Sequence, residues 1–484
     1  MPEPLTAYFS PEFLLPYWLE SSLRSGYLTL GLSPLDEIEL AADYYKTTKD
    51  TKCTKISMYV LAFLCVLCDL CGVQQVRILL PAADKGVTMR LRNSLTGNKE
   101  VFTVRENHVS VYVCGVTPYD ITHLGHAFTY THFDVLVRYL RYLGYRVTYV
   151  QNLTDIDDDI LRKAKELGHD WRALGEKNGD RFLEDMRWLG NLQPDIYPRA
   201  TDVIPDIINL AQDLLGKGWA YENNGSVYFK VYSYKPFGQL SKLPEDQWLI
   251  IANERGNHPN DPNKRNPIDF VLWQSAKEGE PSWPSPWGMG RPGWHIECSA
   301  MSMKFLGRTI DIKGGGGDLI FPHHECSLAQ CECVTGEPLA RYWMHTGMVR
   351  YRGEKMSKSL GNMVFVKDLK ELGPNATRLC LLNQRYGESW EFDHELKKRA
   401  TEQAALFQAV WRRQSGHGSH LATEVYEQHF HDALADNLDT SEALRIMEHL
   451  ATDILSDTSR DVADAKGLLN RACTILGLEI RYGG

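Results

Sequence analysis

The chain has no surplus of positive charge: 53 Lys and Arg stand against 62 Asp and Glu, a formal net charge of −9. A broad basic surface for holding nucleic acid is therefore not expected, because neutralisation of phosphate by Lys and Arg dominates that kind of binding. Small anionic ligands need only local positive charge and stay open. The chain also lacks a long apolar run. Its most apolar stretch, Ile56 to Cys68, falls short of the roughly 20 residues a helix needs to span a bilayer, and Asp69 ends it, so no membrane segment is expected. There are no internal repeats. Nor is there a disulfide framework: 11 cysteines in 484 residues, several beside His and Glu, read as thiols and metal ligands in a reducing cytoplasm. With 43% hydrophobic and 24% charged residues, the composition is that of a globular chain long enough for two or three domains.

Residues 1–88 carry no motif that chemistry attaches to. Cys65, Cys68 and Cys71 are evenly spaced there, but their apolar neighbours point to hydrophobic packing rather than a metal site. This segment is expected to be an extension outside the native core, and Met89 opens a more regular pattern. VSVYVCGV, from Val109, has the β-branched and aromatic character of a strand and runs into a turn at Thr117-Pro118. The next segment, HAFTYTHFDVLVRYLRYLGY, repeats its apolar positions at helical intervals, and Gly144 stops it before a second strand, RVTYVQNLT. That strand–helix–strand unit is the building block of a parallel sheet. Helices are expected after Asp157 and around Ile204 to Leu215, a loop over Asn253 to Asn266, and helices almost throughout from Leu369.

Two short motifs frame this region: His123-Leu124-Gly125-His126 after the first strand, and Lys355-Met356-Ser357-Lys358-Ser359 far downstream. In type, order and setting they resemble the HIGH and KMSKS signatures of the class I aminoacyl-tRNA synthetases. The resemblance implies an α/β fold with a Rossmann-like parallel sheet. The expected division is a catalytic domain with an inserted connective region over 89–368 and a C-terminal helical bundle over 369–484. It also makes His123, His126, Lys355 and Lys358 the candidate catalytic residues. When a carboxylate attacks the α-phosphorus of ATP, negative charge grows on the leaving pyrophosphate, and cations placed there stabilise the transition state. The two lysines stand on a Gly-flanked loop, and the histidines lie at a helix N-terminus suited to phosphate.

Within that class the chain is similar to cysteine-activating enzymes from Val111 to Asn362. Tyr112-Val113-Cys114-Gly115, Gly293-Trp294-His295-Ile296-Glu297-Cys298 and Phe321-Pro322-His323-His324-Glu325 stand where that group has its zinc motifs. Cys114, Cys298 and His323 form a soft S, S, N donor set that suits Zn²⁺ with a fourth position open. A cysteine substrate can fill that position with its own thiolate, which serine's hydroxyl cannot match. The choice of His323 over His324 rests on the resemblance. So do the expected adenylate contacts: Cys114, Gly115, Val116, Thr117, Thr129, Asn152, Leu153, Thr154, Trp294, Gly316, Gly317, Asp318 and Val349. The glycines around Gly316 permit close backbone approach, and Asp318 can orient a ribose or an amino group.

The expected chemistry is attack of L-cysteine on ATP, taken with Mg²⁺, to give cysteinyl-adenylate, followed by transfer to an acceptor. Two acceptors compete. Cysteinyl-tRNA synthetases continue the histidine motif to a Glu zinc ligand where this chain has Ser327, and they typically extend further than Gly484 with a basic stretch and an anticodon-binding part. Ser327, GVTPYD (Gly115 to Asp120) and ERGNHP (Glu254 to Pro259) lean toward the mycothiol-pathway cysteine ligases, although Asn257 and His258 depart from that family's pattern and the leucine of KMSKSLGN is the synthetases'. The expectation is therefore a monomeric cytoplasmic enzyme that joins cysteine to the amine of glucosaminyl-inositol, with the terminal ribose of tRNA as the alternative acceptor. A catalytically silent binding module is set aside, because both lysines and all three metal-ligand candidates are intact.

Overall fold

The computed structural model describes residues 87–356 and 360–479. The Cys65, Cys68 and Cys71 reading and Lys358 lie outside them.

A hairpin of β1 (Arg90–Arg92) and β2 (Lys99–Val101) leads into β3 (His108–Val116). β3 is buried on both faces, as expected of a central parallel strand with a near-continuous β-branched and aromatic run. Helix α1 (Leu124–Tyr142) follows. Its start is capped by His123, whose Nδ1 accepts the His126 N–H at 3.2 Å, and its end is released by Gly144 at φ 91°, a left-handed conformation open to glycine. The chain returns as β4 (Arg146–Leu153), parallel to β3. Helices α2 (Asp158–Leu167), α3 (Trp171–Trp188) and α4 (Ile204–Gly216) come next, near where the helical periodicity predicts them.

The inserted region is a second sheet. β5 (Ala220–Asn223), β6 (Ser226–Phe229), β7 (Phe270–Ser275), β8 (Trp283–Ser285) and β9 (Gly288–Pro292) pair antiparallel in the order β5-β6-β7-β9-β8, with α5 (Glu245–Asn253) between β6 and β7. Strands of three to six residues are too short for alternation to register against a helical background. After α6 (Trp294–Leu306) the parallel sheet resumes with β10 (Ile310–Gly316), α7 (Glu325–Thr335) and β11 (Ala340–Thr346). Its order is β11-β10-β3-β4, all parallel. One crossover leaves β3 toward β4 and the other leaves β10 toward β11. The crevice outside the carboxyl ends of β3 and β10 is therefore the topological switch point, where open α/β sheets bind ligands.

A small sheet of β12 (Val349–Tyr351), β13 (Glu354–Lys355) and β14 (Trp390–Glu391) precedes and then interrupts the helical end of the chain, α8 (Pro374–Leu382), α9 (His394–Arg412), α10 (Glu424–Ala435), α11 (Thr440–Ser456) and α12 (Ala463–Ile475). The two-residue period of β3 separates two cores. Val111 and Val113 join Phe133, Leu379, Leu444 and Leu469 on the side of α1 and the C-terminal helices. Tyr112 and Cys114 join Leu272, Ile296 and Ala329 on the side of the insertion. An ion pair ties α8 to α1: Arg378 donates to Asp134, to the Leu476 carbonyl at 2.5 Å and to the Leu189 carbonyl at 3.1 Å, and all of it is buried. Among the described residues no helix is long and apolar enough to cross a membrane.

Candidate active site

At the switch point lies a cavity of about 690 Å³. Of the residues predicted to contact an adenylate, Cys114 to Thr117, Thr129, Thr154, Trp294, Gly316, Asp318 and Val349 line it, as do His123, His126, Cys298, His323 and Lys355. Asn152, Leu153 and Gly317 do not. Asn152 stands behind the wall. Its Oδ1 accepts the Gly115 N–H at 2.8 Å, the Tyr112 hydroxyl at 3.1 Å and the Cys298 thiol at 3.5 Å, which brings β3, β4 and α6 onto one oxygen. A Cβ on residue 115 would lie 1.5 Å from the Asn152 carbonyl oxygen, so this approach requires glycine. Leu153 packs into the core.

The donor atoms of Cys114, Cys298 and His323 are all within 4.8 Å of one another and buried, the one such His/Cys/acidic group among the described residues. The period of β3 turns Cys114 inward, the first turns of α6 deliver Cys298, and the segment leading into α7 delivers His323. Two softer sulfurs and one imidazole fit Zn²⁺ by donor type and number, with a coordination position left for a further ligand. His324 is nearer to Cys114, with Nε2 3.0 Å from Sγ against 3.6 Å for His323. The group whose donor atoms all come together nevertheless holds His323 and not His324, whose Nδ1 lies 2.7 Å from His345 Nε2. The Trp294 ring stacks on His323 at 4.4 Å, and His295 Nδ1 lies 3.1 Å from His323 Nδ1. Burial works against ionisation of Cys114, but a hydrogen bond with Cys298 and the charge of Lys313 outweigh it and hold that thiol below its ordinary range. Cys298 moves the other way, pushed up by its bond to Cys114 and by burial.

Backbone hydrogen bonds join the start of the first signature motif to the segment that follows the second. Leu124 N–H donates to the Val364 carbonyl at 2.8 Å and Val366 N–H to the Thr122 carbonyl at 3.0 Å, so the segment after the lysine loop is zipped to the start of α1. Asn362 Nδ2 donates to the carbonyls of Tyr351 and Lys355, both at 3.2 Å, which closes the base of that loop. Lys355 is exposed and faces the cavity.

Sequence reasoning missed several groups. Asp157 lines the cavity, accepts from Thr117 Oγ1 at 3.0 Å and caps α2, and burial lifts its acid to about 7. Lys264 lines it too, brought down to about 8 by burial. Glu297 is fully buried with no hydrogen-bond partner on either carboxyl oxygen, and burial raises it well above the usual carboxylate range. Only the neighbouring motif letters signalled Asp157 and Glu297, since burial is not written in composition.

The features taken to mark the acceptor have local structural work instead. Ser327 is buried one turn after His323, and its hydroxyl donates to the His323 carbonyl at 2.9 Å, which steadies α7. Arg255 of ERGNHP donates to the Phe321 carbonyl at 2.6 Å and braces the histidine segment. Thr117 of GVTPYD serves Asp157.

Comparison with known proteins bears on the acceptor directly. The profile of the tRNA synthetases class I (C) catalytic domain matches residues 100–402. The chain is 46% identical over 376 residues to a protein of Thermococcus onnurineus named cysteine–tRNA ligase, covering 74% of this chain and 78% of that one. It is 44% identical over 398 residues to the protein of the same name from Alkalilimnicola ehrlichii, covering 81% and 85%, and 41% identical over 400 residues to that of Dehalococcoides mccartyi, covering 81% and 87%. In fold it is similar to Mycobacterium tuberculosis methionyl-tRNA synthetase in complex with methionyl-adenylate, with a TM-score of 0.56 at 18% identity over 76% of this chain and 89% of that one. These relatives overturn the expected amino-sugar acceptor: at 41–46% identity over about three quarters or more of the chain they carry the tRNA ligase name.

Proposed function

Because the chain belongs to the class I (C) tRNA synthetase catalytic-domain family, a family of ATP-dependent, AMP-forming ligases, we propose that it activates L-cysteine as cysteinyl-adenylate and transfers it to tRNA. The observation that carries the reading is the convergence of three buried soft donors, Cys114, Cys298 and His323, in the same cavity as the histidine and lysine motifs. In the first step the cysteine carboxylate attacks the α-phosphorus of ATP, brought in as its Mg²⁺ complex, and pyrophosphate leaves. In the second the terminal ribose hydroxyl of tRNA attacks the carbonyl and AMP leaves.

Zn²⁺ held by Cys114, Cys298 and His323 supplies a soft Lewis-acid position that a thiolate fills far better than a hydroxyl. The protein does the rest. The N-terminus of α1, with His123 and His126, faces the phosphates, and the positive end of the helix dipole favours anions. Lys355 and Lys358 meet the charge that develops on pyrophosphate. Trp294 covers the metal donors by stacking on His323, while Thr129, Gly316 and Asp318 line the same cavity, where Asp318 can orient a ribose or an amino group. The seven described cysteines are all free thiols, in keeping with a reducing compartment.

The test is exchange of labelled pyrophosphate into ATP with cysteine or serine, followed by charging of total tRNA. Cysteine should support exchange at least about 10³-fold better than serine, the scale at which a site built on one specific polar contact rejects its analogue, and in the charging step radiolabelled cysteine should pass to tRNA. Equal exchange with serine would defeat the thiol-selecting site. Adenylate formation without any charging would defeat the acceptor.

A further inference from the structure

One charged group has no task in this scheme. Lys313 sits in the middle of β10, level with Tyr112 of β3 and Trp343 of β11. It is fully buried, its ammonium has no hydrogen-bond partner, and it rests 4.1 Å from the centroid of the Tyr112 ring. Lysine is almost never fully buried unless paired, and an unpaired buried charge destabilises a fold. A methionine would fill the same space without that penalty. The position of the charge suggests why it is kept. Alternation along the strands puts Lys313 on the face that carries Tyr112 and Cys114, and a Cβ placed on Gly315, the next residue of that face, would lie 3.7 Å from Cys114 Cβ and 3.4 Å from His324 Cε1.

Charge counting gives it a role. Two cysteinates and a neutral imidazole cancel the charge of a divalent ion. A substrate thiolate as fourth ligand then leaves one surplus negative charge in a buried, low-dielectric place, where it is costly unless balanced. We propose that Lys313 is a positioning residue for the substrate: a fixed buried cation that balances the thiolate cysteine brings to the metal centre. The inference rests on the reading of Cys114, Cys298 and His323 as metal ligands. It adds a second selection to the first, since the metal prefers sulfur and Lys313 prefers sulfur in its ionised form. The step is balanced: the thiol proton passes to solvent as the sulfur–metal bond forms, with no change in oxidation state.

The experiment uses the full-length protein loaded with Co²⁺ in place of Zn²⁺ and titrated with L-cysteine without oxygen, following the thiolate-to-cobalt absorption band and the protons released. Wild-type protein should gain band intensity and release about one proton per cysteine bound. In Lys313→Met and Lys313→Gln the Kd for cysteine should rise at least about tenfold, the effect of one pK unit of lost charge stabilisation, while cobalt content and ATP affinity stay as in wild type. Lys313→Met should also melt higher. Unchanged cysteine affinity in the variants would overturn the proposal, and so would loss of cobalt in parallel with cysteine affinity, which would make Lys313 a support of the protein's own ligands. Absence of proton release in the wild type would overturn it without recourse to any variant. If instead wild-type protein takes up no cobalt, or shows no band with cysteine, the metal-site reading itself has failed.

Discussion

Replacing Arg378 with methionine tests whether the frame around the site is understood. The guanidinium is fully buried and donates to Asp134, to the Asn191 side chain and to the carbonyls of Leu189 and Leu476. Methionine keeps most of the volume, so the loss is electrostatic. Breaking a buried pair by removing one partner costs about 3–5 kcal/mol because the other charge is stranded. Here Asp134 is not wholly stranded, since it keeps Arg138 at 2.9 Å and the Leu192 N–H at 2.7 Å. The two carbonyls lose their donor, which adds about 1–3 kcal/mol for each group left unsatisfied. A loss of about 4 kcal/mol is expected. With an unfolding entropy of about 2.1 cal/mol/K per residue over roughly 400 residues, it lowers Tm by about 5 °C. Calorimetry and urea unfolding measure it. The same variant should keep wild-type pyrophosphate exchange at 25 °C, because the start of α1 is held separately by its bonds to Val364 and Val366. A loss under about 1 kcal/mol would refute the assigned strength of the pair, and a tenfold loss of exchange in folded protein would refute the independence of frame and site.

Three further outcomes follow from the geometry. Cys298→Ala should bring bound zinc from about one per chain to near zero, since only two protein donors remain, and metal analysis showing full retention would remove Cys298 from the site. Lys355→Ala should slow adenylate formation by about 10²-fold, worth roughly 3 kcal/mol of transition-state stabilisation, with zinc content unchanged; an unaltered exchange rate would contradict its role. Asp157, ordinarily near 3.8 and lifted to about 7, binds its proton more tightly folded than unfolded. Its contribution to stability is therefore fully present below about pH 4 and lost as pH rises through about 7, with a ceiling of about 4 kcal/mol. Urea midpoints in Asp157→Asn should lose that slope, and an identical pH profile in the variant would show that another group carries it.

Much of the parallel sheet was legible because its signals are local. The apolar run of β3, the helical period of α1 and the stop at Gly144 each sit within a few residues of the element they specify. The candidate metal donors were legible as motif letters, and the fold brings those three side chains together. The insertion sheet was not, because its strands are short and the pairing of β6 with β7 reaches across the whole segment that holds α5. Ser327 was misread for a related reason: a missing ligand type was taken as a statement about the acceptor, whereas the hydroxyl answers to a carbonyl one turn away. Lys313 and Glu297 escaped notice because a charged letter in a sequence says nothing of the solvent it has lost.

The hydrogen bonds that fasten Val364 and Val366 to the start of α1 also bear on the order of events during synthesis. Cys114 and His323 meet across 209 residues of chain, and the clasp on α1 closes across a still longer loop. Such contacts form late, because loop closure has to be met before they return anything. A nascent chain emerging from the ribosome can fold β3, α1 and β4 early, yet the candidate donor set is incomplete until His323 has emerged and the crevice stays unclasped until Val366 has followed. The candidate site is thus completed only when nearly all of its frame is there to hold it.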